Sequence, residues 1–442
     1  MKISQRISIC IMLCSFVLLV GLIACNEEAH DGECGLTVAL DNRQCPDIPI
    51  DNVKLYIYDT SGNLTAVYNY VDARGVAAAL LSLEIGHYTV AVVINADEEV
   101  TETATLTALH EWLSSEMGHD TDLLSGIAEV DVTEYGISRV TVSLRQGTFT
   151  LSTLRLLLTM PDETLPDYAA TKTRASNGIY IIRCIAELCR PGTDKVVLRK
   201  TVTPELQADG TYLMELEASD ATYDLRLWTD YARADAPLTD TYYHTESLKA
   251  VEIITEPYIA NTDAKNAGYH NESDIMLPEE GATISVQLQR PLAKYRIIAN
   301  DVEAYRKLAE TEPEKFPPIE ELTLTVQYEG YFPSAFNVAN GKPSNAITNL
   351  SFTNALPEMP DGSKEAQIAS DWILTGGEDT FVNVNICIRD KNGAVRTNTT
   401  GVKIAHKRNH QTIIRGNFLT AGIGSGGVNI NTEWEDTYVI EF

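Results

Sequence analysis

The chain has 442 residues, of which 62 are acidic and 34 are basic, so its formal net charge at pH 7 is −28. A protein this acidic repels nucleic acids and anionic lipid surfaces, which excludes electrostatic binding to either as its main role. The length predicts two to four domains. The densest basic cluster, residues 406–408, is one short stretch and not a basic patch.

The N-terminus has the pattern of a secretory signal peptide. After a basic start, an uncharged apolar run extends over residues 7–21, which is too short to favour a membrane-spanning helix. The run is followed by Ala24 and Cys25, and this junction resembles the lipoprotein signals of bacteria. The resemblance implies cleavage between Ala24 and Cys25 and acylation of the Cys25 thiol and amine. An ordinary signal peptide with a chance cysteine is the alternative.

The residues directly after Cys25 refine the predicted location. Asn26 is followed by Glu27 and Glu28, and the aspartate that usually retains lipoproteins in the inner membrane is absent from this position. Acidic residues here resemble the surface-export signal of Bacteroidales-type lipoproteins. We therefore expect a lipid-anchored protein of the cell outer membrane that is exposed at the surface.

Alternation of apolar and polar residues dominates the mature chain and predicts β-strands. Residues 53–58 and 64–68 alternate on either side of a turn at 59–63, which is a hairpin signal. One stretch has helical spacing instead, because Leu106, Leu109, Leu113 and Met117 fall on one face before Gly118. The sequence therefore predicts low helix content.

The order of these strands recurs along the chain. Residues 223–230 match 88–95 in place and character, and residues 284–290 match 140–146. A third set runs from 322–326 to 411–414. Evenly spaced short strands with turns between them predict a mainly β fold of tandem antiparallel sandwiches with few short helices.

These repeats define the predicted domains. One linker is expected at residues 161–175, and another around residues 310–318. The predicted boundaries are a signal peptide at 1–24, an acidic tether at 25–33, an N-terminal sandwich at 34–160, a linker at 161–175, a second sandwich at 176–290, and a third sandwich with a C-terminal strand tail at 291–442.

The strand and turn residues carry a family resemblance. Residues 51–64 and 83–90 resemble the fimbrial anchor and accessory lipoproteins of Bacteroidales-type (type V) pili. Residues 223–231, 240–243 and 407–412 resemble fimbrillin-like domains of the same superfamily. The resemblance implies transthyretin-like seven-stranded sandwiches and a role in surface fimbriae. Members commonly have two sandwiches, whereas three are predicted here, so the anchor, accessory and tip roles stay open.

The five cysteines after Cys25 cannot all pair within one chain. Cys34 and Cys45 lie close enough in sequence to form a bridge. Cys184 and Cys189 lie in one extended run, which separates them by about 16 Å, well beyond the roughly 7 Å between Cα atoms that a disulfide allows. We therefore expect those two to remain unpaired.

Two motifs suggest chemistry but lack the context for it. The glycines of residues 422–427 fit a dinucleotide-binding pattern, but a strand-like run follows where a helix is needed, so a flexible loop is predicted. His406 and His410 are four residues apart but lie in strand-like surroundings, so surface histidines are predicted rather than zinc ligands. We predict no enzyme activity, no cofactor and no metal.

Four aromatic residues in the second unit, Trp228, Tyr231, Tyr242 and Tyr243, raise the question of sugar binding. Exposed aromatic rings stack on sugars, as an adhesin requires. Packing in the core is favoured for Trp228, since its strand is apolar at alternate residues.

Two functions of different class follow. The first is a lipid-anchored structural subunit (anchor, accessory or tip) of a fimbrium, which assembles with other fimbrial subunits through β-strand addition and supports adhesion. In the family, polymerising subunits are cut after an arginine, which removes a strand; Arg174–Ala175 is a candidate cut site, and an ordinary linker arginine is the alternative. The second is a surface lipoprotein that binds a glycan or host protein without forming a polymer.

The C-terminal residues are prone to form a strand. Tyr438, Ile440 and Phe442 fall on one side of an extended run. The tail is either the closing strand of its own sandwich or a strand donated to a neighbour. The first is favoured, because lipidation suits a base or accessory subunit.

Overall fold

The chain is mainly β, as predicted, with mostly antiparallel sheets and short helices. This computed structural model describes residues 35–96, 99–116, 122–161, 178–421, 429–430 and 437–441. The chain divides into two compact units, Met1–Thr150 and Leu151–Phe442. One hydrophobic core lies in the first unit and two lie in the second. None of the helices in the described ranges is long and apolar enough to cross a membrane.

The described part of the first unit consists of short strands and two helices. Its elements are β1 (Gly35–Asp41), β2 (Asp51–Tyr58), β3 (Leu64–Asp72), α1 (Ala73–Ala78), β4 (Gly86–Ile94), α2 (Leu106–Glu116), β5 (Leu124–Val132), β6 (Ile137–Ser143) and β7 (Arg145–Gln146).

The strands of this unit form a sheet in the order β3-β2-β4-β5-β7, and β1 pairs with β6. Local sequence explains a turn and a helix of this unit. At the predicted hairpin turn, Asp59 Oδ1 accepts hydrogen bonds from the Ser61 and Asn63 N–H groups at 2.8 and 2.9 Å, and Gly62 adopts a φ of +75°. Helix α2 buries Leu109 and Leu113, as predicted, whereas Met117 and Gly118 lie outside the described residues.

The second unit begins with a sandwich of two four-stranded sheets. Its elements are β8 (Ser152–Thr159), β9 (Tyr180–Cys189), β10 (Val196–Val202), β11 (Glu205–Leu206), β12 (Tyr212–Ala218), β13 (Ala221–Arg233), β14 (Tyr243–His244), β15 (Val251–Ile253), a 3₁₀ turn at Asp263–Lys265, β16 (Gly268–Leu277) and β17 (Ala282–Gln287).

The core of this middle sandwich lies between the sheets β10-β9-β13-β16 and β11-β12-β8-β17. Strand β8 shows why: Leu154, Leu156 and Leu158 alternate with more exposed residues and are fully buried. Cys184 and Cys189 both lie on β9 and are unpaired, as predicted. Cys45 is also free, whereas Cys34 lies outside the described residues.

A third sandwich completes the second unit. Its elements are β18 (Leu292–Ala299), α3 (Val302–Thr311), a 3₁₀ turn at Ile319–Glu321, β19 (Thr323–Glu329), β20 (Phe332–Asn337), β21 (Lys342–Ile347), β22 (Ser351–Ala355), β23 (Ala366–Leu374), β24 (Thr380–Arg389), β25 (Val395–His406), β26 (Gln411–Gly416), β27 (Asn429–Ile430) and β28 (Thr437–Glu441).

The middle and third sandwiches are joined by a shared sheet. The third sandwich is formed by the sheets β23-β18-β26-β28-β27 and β22-β19-β24-β25. A further sheet has the order β14-β15-β20-β21, so it takes two strands from each part of the chain. The largest hydrophobic core also spans both parts, since it contains Trp228 together with Phe336. The two sandwiches are therefore one compact unit.

Each sandwich pairs its first strand with a late strand in parallel. The pairs are β1 with β6, β8 with β17, and β18 with β26. Parallel pairing of sequence-distant strands within otherwise antiparallel sheets is a specific topological feature. Its recurrence explains the sequence matches, because residues 284–290 and 140–146 overlap the parallel partners β17 and β6.

Two sequence assignments differ from the structure. Residues 151–160 were placed in the N-terminal sandwich, but β8 pairs with β12 and β17 and begins the second unit. Residues 162–177, which lie outside the described residues, therefore fall between two strands of the middle sandwich in the chain order. The expected linker around 310–318 lies inside the third sandwich, where its first two residues end α3 and the rest connect α3 to the 3₁₀ turn at Ile319–Glu321.

Candidate functional site

The residues predicted to be modified or cut lie outside the described residues. Ala24 and Cys25 precede the first described residue, and Arg174 and Ala175 fall in the gap before residue 178. Among the described strands, the candidates for strand exchange are the first strand of a sandwich and the C-terminal tail strand.

Strand β1 is the first described strand after the predicted lipid anchor. Leu36 and Val38 point into the core, with exposed fractions of 0% and 3%. The Leu36 and Leu81 backbones exchange hydrogen bonds of 2.9 Å, and Leu144 N–H donates to the Asp41 carbonyl at 2.8 Å. Strand β1 is thus held on both sides by main-chain bonds and from below by buried side chains.

Strand β8 has the equivalent place in the middle sandwich. It pairs antiparallel with β12 over seven residues, from Tyr212 with Leu158 to Ala218 with Ser152. On its other side it pairs in parallel with β17, from Leu154 with Ala282 to Thr159 with Gln287. Removing β8 would therefore expose two main-chain edges and the core beneath Leu156.

The C-terminal tail extends the sheet of its own sandwich. Strand β28 pairs in parallel with β26, from Gln411 with Thr437 to Arg415 with Glu441, and β27 pairs antiparallel with β28. The favoured prediction for the tail is thus the arrangement found. Without the tail, β26 would be an edge strand with unpaired main-chain groups, which is a template for another strand.

The aromatic cluster is packed inside the protein. Trp228 and Tyr243 are fully buried, Tyr242 is 5% exposed and Tyr231 is half-buried. The rings of Trp228 and Tyr243 meet edge to face at 5.3 Å. The core packing predicted for Trp228 is confirmed, and the buried rings cannot serve as an exposed platform for sugars.

Two buried ionic networks were not found by sequence reasoning. Arg183, 1% exposed, donates to both carboxylate oxygens of Asp230 at 2.9 and 2.7 Å and to Asp240 at 2.7 Å. Burial alone lowers the pKa of Arg183, but the hydrogen bonds and charges of these two aspartates raise it above its ordinary value. The only sequence signal was a charged residue at an inward position of an apolar strand.

The second network surrounds Asp371 on β23. Its carboxylate accepts hydrogen bonds from Lys265 Nζ at 2.7 Å, Tyr258 Oη at 2.5 Å and Tyr328 Oη at 2.7 Å. Burial lowers the pKa of Lys265, and Asp371 opposes that shift. Burial also raises the pKa of both tyrosines. Because Lys265 follows β15 and Asp371 lies in the third sandwich, this pair helps to join the two sandwiches.

The sequence profile of a family of unknown function, DUF6562, matches residues 147–441. The chain belongs to this family. The DUF6562 region begins just before β8 and ends within β28, so it coincides with the second compact unit. No curated protein matches this sequence.

Solved structures that match part of this chain come from Bacteroides and Porphyromonas. A candidate adhesin from Bacteroides ovatus is 12% identical, with 55% of this chain and 75% of that chain covered at a TM-score of 0.33. The fimbrial anchor protein Mfa2 from Porphyromonas gingivalis is 11% identical, with 57% of this chain and 82% of that chain covered at a TM-score of 0.31. The C-terminally truncated tip fimbrial protein Mfa3 from the same organism is 9% identical, with 60% of this chain and 94% of that chain covered at a TM-score of 0.30.

The histidines of the DUF6562 region differ from their predicted surface position. His406 ends β25 as a buried residue, 3% exposed, whereas His410 is half-buried. Neither ring nitrogen of His406 has a hydrogen-bond partner among the described residues, and burial lowers its pKa to about 4. The glycines at 422–427 lie outside the described residues. Within the described ranges, no three potential ligands from His, Cys, Asp or Glu gather to hold a metal.

Proposed function

We propose that this protein is a lipid-anchored structural subunit of a cell-surface fimbrium, which assembles by β-strand addition and supports adhesion. The observation that carries the proposal is the edge arrangement of the third sandwich. Its tail strand β28 adds to β26 after a gap of some twenty residues in the chain. The place beside β26 is therefore filled by a strand that is distant along the chain, and a partner's strand could also take it.

The N-terminal signal supports the cellular part of the proposal. Lipidation at Cys25 would hold the chain at the outer membrane, since several acyl chains contribute about 0.8 kcal/mol for each buried methylene. A tail kept in its own sandwich suits an anchor or accessory subunit better than a polymerising one.

Cleavage at Arg174–Ala175 would have a defined structural effect. The cut lies between β8 and β9 in the chain, so it would separate β8 from the other strands of the middle sandwich. Loss of β8 would open the edges of β12 and β17. This extends the proposal from the anchor to a subunit that accepts a neighbour's strand.

Mass spectrometry of the mature protein from outer membranes tests the anchor. We expect Cys25 to be the first residue and to carry the mass of its acyl groups, and we expect Cys25→Ser to leave unprocessed or released protein. The same spectra report a cut between Arg174 and Ala175. An unmodified Cys25 in the wild type would contradict the lipoprotein assignment. Co-purification of a ladder of fimbrial subunits with the wild type tests the fimbrial role.

Deletion of residues 428–442 tests the edge of β26. Because this removes both tail strands, we expect the third sandwich to lose about 3 kcal/mol, which lowers the unfolding midpoint by roughly 6 to 12 °C. A synthetic peptide of residues 428–442 should bind the deletion variant and restore the midpoint, while a scrambled peptide should not. If the deletion variant unfolds at the wild-type midpoint and does not bind the peptide, β26 is not an edge that accepts strands.

A further inference from the structure

A pocket of about 360 Å³ lies where the middle and third sandwiches meet within the second unit. On one side it is lined by Gln289 and Arg290, which directly follow β17, and on the other by Lys407, Arg408 and Asn409, which follow β25. Its volume is within the range of roughly 300–1,000 Å³ that small-molecule sites occupy. The fold thus places Arg290 in the same pocket as Lys407 and Arg408 of the short basic stretch.

Arg408 is held in place by neutral groups. Its Nη1 donates to Gln289 Oε1 at 3.3 Å, its Nη2 donates to the Gly341 carbonyl, and its guanidinium lies 5.2 Å from the centre of the Tyr269 ring. Its Nε is buried and has no hydrogen-bond partner among the described residues. No acidic side chain in the described ranges forms an ion pair with Arg408. The guanidinium is therefore oriented but its charge is not neutralised by these contacts.

Arg290 is buried in the same wall, with an exposed fraction of 2%. Its Nε donates to Asn266 Oδ1 at 2.9 Å, its Nη1 donates to Asn409 Oδ1, and it lies 6.0 Å from the centre of the Trp372 ring. These contacts fix the plane of the guanidinium. A fixed, planar guanidinium is suited to bind a carboxylate through two parallel hydrogen bonds.

The pocket is basic in a protein that is strongly acidic. None of its described lining residues is acidic. Asp379 lies at the rim, 3.6 Å from Lys407 Nζ, and Lys407 is more than one-third exposed, so this ion pair is weak. The side-chain oxygens of Gln289 and Asn409 accept from the arginines, which leaves their amide NH₂ groups as donors.

We propose that this pocket binds a sugar residue that carries a carboxylate, of the hexuronic acid class. The carboxylate would lie against Arg408 and Arg290, and the ring hydroxyls would accept from the Gln289 and Asn409 amides. Two arginines select for a planar anion, and the volume accommodates more than a bare ion. The site does not depend on the fimbrial role, because neither a polymer nor the tail contributes to it.

Calorimetric titration of the mature chain with glucuronate and galacturonate tests the proposal, with glucose and galactose as neutral ring controls. We expect the uronates to bind and the neutral sugars not to bind. Arg408→Gln should weaken uronate binding at least tenfold, because it removes a charge-assisted hydrogen-bond donor. An oligosaccharide with a terminal uronate, titrated in parallel, shows whether a chain end binds more tightly than the free sugar; either order supports a uronate site.

The matched control is Arg155→Gln, which removes the same charge from an exposed arginine on β8 whose partner is Glu215 at 2.8 Å. This variant should bind uronates as the wild type does, and both variants should remain folded with one cooperative unfolding transition, although Arg408→Gln loses the contacts to Gln289 and Gly341. Equal binding of glucose and glucuronate, unchanged binding by Arg408→Gln, or inorganic phosphate binding as tightly as glucuronate would each overturn the proposal. The last result would show a general anion site.

Discussion

Replacing Asp371 with leucine is expected to destabilise the second unit by about 3–5 kcal/mol. The carboxylate is 1% exposed and accepts hydrogen bonds from Lys265, Tyr258 and Tyr328. Its removal leaves the buried ammonium group of Lys265 and two hydroxyl groups without their acceptor. Denaturation in urea, followed by near-UV circular dichroism of the buried tryptophans, measures the loss.

Two further variants separate the lost ion pair from other effects. Asp235→Leu removes the aspartate of the exposed Arg233–Asp235 pair and should change stability little. The double variant Lys265→Met with Asp371→Leu should recover much of the loss, because the unpaired buried charge is then absent. If Asp371→Leu costs less than about 1 kcal/mol, the pair does not hold the two sandwiches together.

The stability of the second unit should fall between about pH 7 and pH 4 through His406. In the unfolded chain a histidine takes up a proton near pH 6.5, whereas burial lowers the pKa of His406 in the fold to about 4. The nearby Ile404 carbonyl offsets the burial only in part. Between these values the unfolded chain binds a proton that the folded chain does not. Stability is therefore lost as the pH falls, by about 3 kcal/mol across the window.

The measurement is the difference between wild type and His406→Leu in unfolding free energy at several pH values. The many carboxylates give both proteins a common acid dependence, so only the difference reports His406. It should change by about 3 kcal/mol between pH 7 and pH 4. His410→Leu is the control, since His410 is half-buried and bonded to the Arg408 carbonyl. A difference that stays constant with pH would show that His406 takes up its proton in the folded chain.

Alternating apolar residues were sufficient to predict the strands and their repetition. Leu154, Leu156 and Leu158 show the pattern clearly, and so does the helix that buries Leu109 and Leu113. The assignment of β8 to the wrong sandwich has a physical reason. Alternation shows which face of a strand is buried but not which strands pair with it, and β8 finds its partners β12 and β17 far along the chain.

Functional residues were harder to predict than the strands. The pocket places Arg290 beside Arg408, and only the fold brings these residues together. His406 was misassigned to the surface because a histidine beside two basic residues is typical of a solvated turn. The Asp371 network was equally hidden, since its members come from β19, β23 and the segment between β15 and β16. The prediction of lipidation at Cys25 rests on residues that are adjacent in sequence, so it does not require a fold.

The parallel pairing of the first strand with a late strand has a mechanical consequence. In the third sandwich, β18 and β26 run side by side in the same direction from Lys294 and Gln411. The chain therefore enters β18 at one end of the sheet and leaves β26 at the opposite end. Tension between those two points acts along the strands, so it shears the whole ladder at once instead of peeling one hydrogen bond at a time. A sandwich of this kind resists traction along its own axis.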